Sequence, residues 1–132
     1  MDETSQTVLF VCAHGVLRSP MAAALLTARA GGALAARSAG LDPDDAMSPI
    51  AIAALREIDL EVGEQRPMRW SALESAGCRV VWLGGPPPLE LAGRDVEWWD
   101  VETPPVDGLP AARKLRQELE RRVGELLARE SV

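Results

Sequence analysis

Tyrosine is absent from this chain of 132 residues, histidine occurs once and cysteine twice. Each shortage closes a class of function. Cys12 and Cys78 are too few for a disulfide framework, and His14 alone cannot complete a zinc site with them. No metal and no cofactor is therefore expected. No apolar run approaches the length of a membrane-spanning helix, so no membrane partner is expected either. Basic residues are outnumbered, 14 Lys and Arg against 20 Asp and Glu, for a net charge of −6. Such a surface is a poor match for nucleic acid or for an anionic membrane. It also repels anionic substrates at long range, so any anion site must be local, built from backbone N–H groups and one or two Arg. The opening Met1-Asp2-Glu3-Thr4-Ser5-Gln6 lacks the basic start and apolar stretch of a signal peptide. The expected setting is the cytoplasm, with both thiols free.

What is present reads as one α/β domain over residues 1–132. Apolar residues make up 47% of the chain, enough for an ordinary core. Thr7 to Val11 is a short apolar run expected as a buried first strand. A strong helix former follows from Pro20 to Ala30, with Ser19 suited to the N-cap and Gly31-Gly32 to the stop. Leu34 to Ala39 reads as a second strand, and Ser48-Pro49 opens a second helix over Ile50 to Glu57. Ser71 to Ala76 reads as a helical turn. Arg79 to Leu83 and Val96 to Val101 read as the third and fourth strands. Leu115, Leu119, Val123 and Leu126 lie at helical spacing, so Pro110 to Arg129 is an amphipathic C-terminal helix. Right-handed crossovers then give a small doubly wound, four-stranded parallel sheet with helices on both faces. In such sheets ligands sit beyond the carboxyl ends of the strands, where Cys12, Gly84-Gly85 and the segment after Trp99 fall.

Cys12 and Arg18 are separated by five residues, Ala13, His14, Gly15, Val16 and Leu17, in the loop from first strand to first helix. A tight loop at a helix N-terminus turns several N–H groups inward and makes a nest for a tetrahedral oxyanion. A thiol at its mouth is favoured as thiolate. Arg18 adds a planar fork for two oxygens. Phosphate is the fitting ligand, bound by the amides of residues 13–17 and by Arg18. A bare Cys-x5-Arg spacing is weak by itself; its position between Thr7–Val11 and Ser19-Pro20-Met21-Ala22 makes it specific. The bland alternative is a buried core thiol at a strand end.

Val8-Leu9-Phe10-Val11-Cys12, with Arg18-Ser19-Pro20-Met21-Ala22 after the five-residue loop, resembles the signature of the low-molecular-weight protein-tyrosine-phosphatase/arsenate-reductase superfamily. Ser38-Ala39-Gly40, Ser48-Pro49 through Leu55, Ile58-Asp59-Leu60 and the C-terminal helix extend the resemblance over nearly the whole chain. It implies a fold with the loop at its sheet edge, and it gives Ser19 a hydrogen bond to the Cys12 thiolate. The chain departs from the family pattern at His14-Gly15, where Gly-Asn is usual; glycine adopts the left-handed conformation without penalty. His14 reads more simply as a solvent-facing loop residue than as a substrate contact. Leu17 replaces the second cysteine of many relatives. The family's Asp-Pro acid aligns with Thr103-Pro104, so Asp100 and Glu102 are the candidate proton donors. The four tryptophans read as core or rim packing. Thioredoxin-coupled relatives carry resolving cysteines where Gly84 and Gly85 stand. Cys78, at the start of the third strand, is at the wrong sheet edge for a relay to Cys12.

Three functions remain open on these residues. The leading one is a phosphatase that hydrolyses phosphate monoesters through a cysteinyl-phosphate, with a phosphoprotein as one candidate substrate. The second is an arsenate reductase that uses Cys12 and an external low-molecular-weight thiol or redoxin. The third is a non-catalytic oxyanion- or phosphoprotein-binding module.

Overall fold

A computed structural model describes residues 7–63, 66–71, 77–91, 96–101 and 108–130. Four parallel strands form one sheet: β1 (Thr7–Cys12), β2 (Ala35–Gly40), β3 (Arg79–Leu83) and β4 (Val96–Trp99). Their spatial order is β2-β1-β3-β4. Three α-helices accompany them, α1 (Arg18–Ala30), α2 (Pro49–Arg56) and α3 (Leu109–Glu130). This is the four-stranded parallel α/β sheet that the alternation of patterns predicts; among the described residues the three α-helices pack on one face, and the other carries a 3-10 turn instead of a helix.

Period-two alternation sorts the strand residues onto two faces. Val8, Phe10, Cys12, Val81 and Leu83 point to the face covered by the helices. Met21 and Leu25 of α1, Ala54 and Leu55 of α2, and Leu115, Leu119, Val123 and Leu126 of α3 fill that side. Leu9, Val11, Val80 and Trp82 point to the other face, under Trp70 and a 3-10 turn at Leu89–Leu91. The expected helical turn at Ser71 to Ala76 falls, beyond Ser71, outside the described residues. Among the described residues no helix is long and apolar enough to cross a membrane.

The elements sit within a residue or two of their expected bounds, with two instructive differences. Helix α1 begins at Arg18, so Ser19 lies inside it and is not its N-cap. Strand β4 stops at Trp99, two residues early. There the Val101 N–H turns back onto the Trp99 carbonyl at 3.0 Å and takes the chain out of the ladder.

The edge strand β4 is anchored by Glu97, which accepts from the Trp99 indole at 2.7 Å and from Arg129 at 2.8 Å, and pairs with Arg79 at 3.4 Å. Burial pushes this carboxyl up, but the Trp99 indole and the two guanidinium groups outweigh it and hold the carboxyl below its usual range. The Trp99 ring in turn packs on Phe10, with centroids 5.5 Å apart.

Helices α2 and α3 are joined by Glu57, which accepts from Arg113 at 2.6 Å and Arg116 at 3.0 Å. The hydrogen bond from Arg113, then that from Arg116, lowers the Glu57 carboxyl from 4.5 to about 2. The folded protein therefore holds this group more acidic than the unfolded chain does. Its stabilising contribution is complete above pH 4.5 and is lost as pH falls toward 2. Glu57→Gln is expected to lower the melting temperature at neutral pH and to flatten its decline on acidification through that window. A decline of unchanged steepness in thermal melts would count against this contact.

Candidate active site

The site grows from the place where β1 ends. Cys12 is the last residue of β1, in register with Gly40 at the end of β2. Leaving the sheet, the chain must turn sharply to start α1 at Arg18, and Gly15 makes that turn with φ +67°. The turn passes directly over Gly40. A methyl group on Gly40 would lie 2.6 Å from both the Gly15 nitrogen and the His14 carbonyl carbon. One on Gly15 would lie 2.8 Å from the Gly40 nitrogen. Two backbones cross here without room for a side chain on either, which gives a steric reason for the glycine of Ser38-Ala39-Gly40.

Residues 41–48 then wrap the loop from outside. Leu41 N–H donates to the Cys12 carbonyl at 3.1 Å and Asp42 N–H to Ala13 at 2.8 Å. Asp44 N–H donates to His14 at 3.3 Å and Ser48 N–H to Val16 at 2.9 Å. Four loop carbonyls are thereby drawn outward. The amides of residues 13–17 find no backbone acceptor among the described residues. Free N–H groups at the start of α1, with carbonyls held away, are the donors that a tetrahedral oxyanion needs. Nothing in the local spacing of Cys12 and Arg18 announced this strap.

Cys12 is 2% exposed, and its sulfur lies 3.1 Å from the Ser19 hydroxyl oxygen. Ser19, fully buried, also reaches the Ala39 carbonyl at 3.3 Å. One hydroxyl carries one proton. With a neutral thiol, S–H donates to Ser19, which donates to Ala39. With a thiolate, the Ser19 proton turns to the sulfur and the longer Ala39 bond is given up. This position explains why Ser19 is not a helix cap: its oxygen is committed to the thiol.

Arg18 is half-buried and donates from Nη1 to the Val101 carbonyl at 3.1 Å. The tight turn at the end of β4 aims that carbonyl inward. Asp100, one residue before it, is exposed. Glu102 and Thr103 lie outside the described residues. His14 is exposed, and its Nδ1–H donates to the Asp42 carbonyl at 2.9 Å, with Asp44 Oδ1 at 3.8 Å. The ring thus leans on the wrapping segment. Trp82 and Trp99 are buried, whereas Trp98 is 45% exposed. Among the described residues no group of three His, Cys, Asp or Glu is placed to hold a metal ion.

Cys78 immediately precedes β3, whose first residue Arg79 pairs with Val8. It is thus level with Thr7, five strand steps and roughly 16 Å along the sheet from Cys12. A disulfide tolerates Cα separations of about 7 Å at most. The two thiols stand at opposite ends of the parallel strands.

The family described as low molecular weight phosphotyrosine protein phosphatase matches residues 7–81. An arsenate reductase solved in a phosphate-binding state is 27% identical over 94% of this chain and 98% of its own, with a TM-score of 0.82. A thioredoxin-dependent arsenate reductase from Corynebacterium glutamicum is 25% identical over 97% of this chain, with a TM-score of 0.76. This chain spans 63% of the length of that protein. The YwlE arginine phosphatase from Geobacillus stearothermophilus matches 96% of this chain and 93% of its own at a TM-score of 0.81. At 22% identity, that last likeness is one of fold.

Proposed function

Since the chain belongs to the low molecular weight phosphotyrosine protein phosphatase family, we propose that it hydrolyses phosphate monoesters through a cysteinyl-phosphate on Cys12. The observation that carries this reading is the Cys12 sulfur beside the Ser19 hydroxyl, 3.1 Å away, at the end of a loop whose amides have no backbone acceptor. The amides of Ala13, His14, Gly15, Val16 and Leu17 and the Arg18 fork hold the three non-bridging oxygens. The Cys12 thiolate attacks phosphorus, the P–O bond to the leaving group breaks, and that oxygen takes a proton. Ser19 stabilises the thiolate before attack and again when it leaves. Water then attacks the cysteinyl-phosphate and releases inorganic phosphate. Charge that develops on the equatorial oxygens is met by donors already in place. Asp100 or Glu102, the chain neighbours of Val101, supplies the proton. The reaction needs no cofactor. Two free thiols suit a reducing compartment, the cytoplasm, and a phosphoprotein is a substrate of fitting kind.

The likeness to arsenate reductases at 25–27% identity favours a second reading on the same residues. Cys12 would displace an oxygen of arsenate to form a sulfur–arsenic bond. An external thiolate would attack the Cys12 sulfur, arsenite would leave with the bonding pair, and a further thiol would reduce the resulting disulfide. With Cys78 at the far end of the strands, that thiol comes from a small molecule or a redoxin.

One purified sample assayed two ways decides between them. Phosphate release from p-nitrophenyl phosphate is expected, with little arsenate-dependent oxidation of thioredoxin or of small thiols. Arsenite formation without phosphate release would replace the first reading by the second.

A further inference from the structure

We propose that Trp98, with Trp82 beside it, is a positioning residue for Arg18: the two indoles hold the Gly84 and Gly85 carbonyls away from the guanidinium and keep its donors free for an oxyanion. The proposal rests on the reading of Arg18 as the oxyanion clamp.

Strands β3 and β4 place the two indoles next to each other, Trp82 opposite Trp98 in the register. Trp82 donates from Nε1 to the Gly85 carbonyl at 2.6 Å, and Trp98 donates to the Gly84 carbonyl at 2.8 Å. The Gly84 N–H donates to Trp99 O at 3.1 Å. Both polar groups of Gly84 and the carbonyl of Gly85 are thus committed within the β3–β4 edge.

Arg18 lies against this same turn. A methyl group built on Gly84 would come 3.1 Å from Arg18 Nη1 and 3.1 Å from Trp82 Cζ2. Gly84, at φ +152°, sits between guanidinium and indole, where a side chain would crowd both. A guanidinium is a strong donor and a backbone carbonyl a strong acceptor. One carbonyl, that of Val101, already occupies Nη1. Two adjacent glycines have the conformational freedom to swing a second carbonyl onto Arg18. Such a carbonyl would compete with substrate oxygens for the same N–H groups. The indole bonds prevent that rotation. Core packing accounts for Trp82, which is 6% exposed, but not for Trp98, which is 45% exposed and yet directs its N–H at the carbonyl of Gly84, the glycine against which Arg18 lies.

The test is a double-mutant cycle read by titration with inorganic phosphate. Trp98→Phe keeps an aromatic ring and removes the N–H. It is expected to weaken phosphate binding about five- to tenfold, the scale of one hydrogen bond. In an Arg18→Lys background the same substitution should weaken binding less than about twofold, because the group it protects is gone. Trp82→Phe should follow the same pattern. Thermal melts run in parallel identify any variant that loses affinity by unfolding. Equal losses in both backgrounds, or no loss in either, would overturn the proposal. Hydrolysis of p-nitrophenyl phosphate in the same samples separates this claim from the functional one. Coupled binding without turnover sinks the phosphatase reading and leaves the positioning role. Turnover with additive losses sinks the positioning role alone.

Discussion

Cys12→Ser is expected to take turnover to background, a loss on the order of 10⁴-fold or more, because no other described side chain is placed to form the covalent intermediate. A serine hydroxyl is far less acidic than a thiol, and no described side chain beside Cys12 is placed to deprotonate it. Ser19 provides a donor, not a base, since its single proton is shared between the sulfur and the Ala39 carbonyl. Binding should respond quite differently. The amides of residues 13–17 are set by Gly15, Gly40 and the wrapping segment through backbone contacts that do not involve the substituted atom. Phosphate affinity is therefore expected to stay within about threefold, the size of a minor change in one hydrogen bond. The pair of measurements is kcat on p-nitrophenyl phosphate and the phosphate dissociation constant. A serine variant retaining a tenth of the activity would remove Cys12 as nucleophile, and the same two numbers would expose a collapsed loop if affinity vanished as well.

Arg18→Lys should cost less than removal of the nucleophile but more than any other single change in the binding shell. Arginine can donate to the Val101 carbonyl from Nη1 and still offer other N–H groups in a plane to two substrate oxygens. A lysine ammonium is a single point of charge and must divide itself between that carbonyl and the oxyanion. Losing one preorganised donor of this type typically removes about 2–4 kcal/mol of transition-state stabilisation, or roughly 30- to 1000-fold in kcat/KM. The fall should appear mainly in kcat, since the equatorial oxygens gain charge only as the phosphoryl group transfers. A change of threefold or less would mean that Arg18 serves only to tie α1 to the end of β4.

The sequence by itself determined the elements and set Cys12 and Arg18 at the two ends of one strand-to-helix loop. Buried strands, a proline-started helix and a heptad-like stripe at Leu115, Leu119, Val123 and Leu126 are local patterns, and local patterns are what hydrophobic periodicity encodes. Cys12 and Arg18 were legible for the same reason: a six-residue step across one strand–loop–helix unit carries its geometry with it. Ser19 was legible as a partner of Cys12 only through the resemblance; its propensity as a helix cap pointed elsewhere, and burial against Ala39 overrode that propensity. What the tertiary structure decided lies between residues far apart in the chain. Ala39 reaches Ser19 across 20 positions and Val101 reaches Arg18 across 83. Gly40 matters because Gly15 crosses it, and Gly84 because Arg18 rests on it. Residues 41–48 strip the loop carbonyls from the site, although their composition marks them only as an acidic turn. These contacts leave no periodicity and no spacing to read, because a glycine chosen for contact and a glycine chosen for a turn look the same until the chain has folded around them.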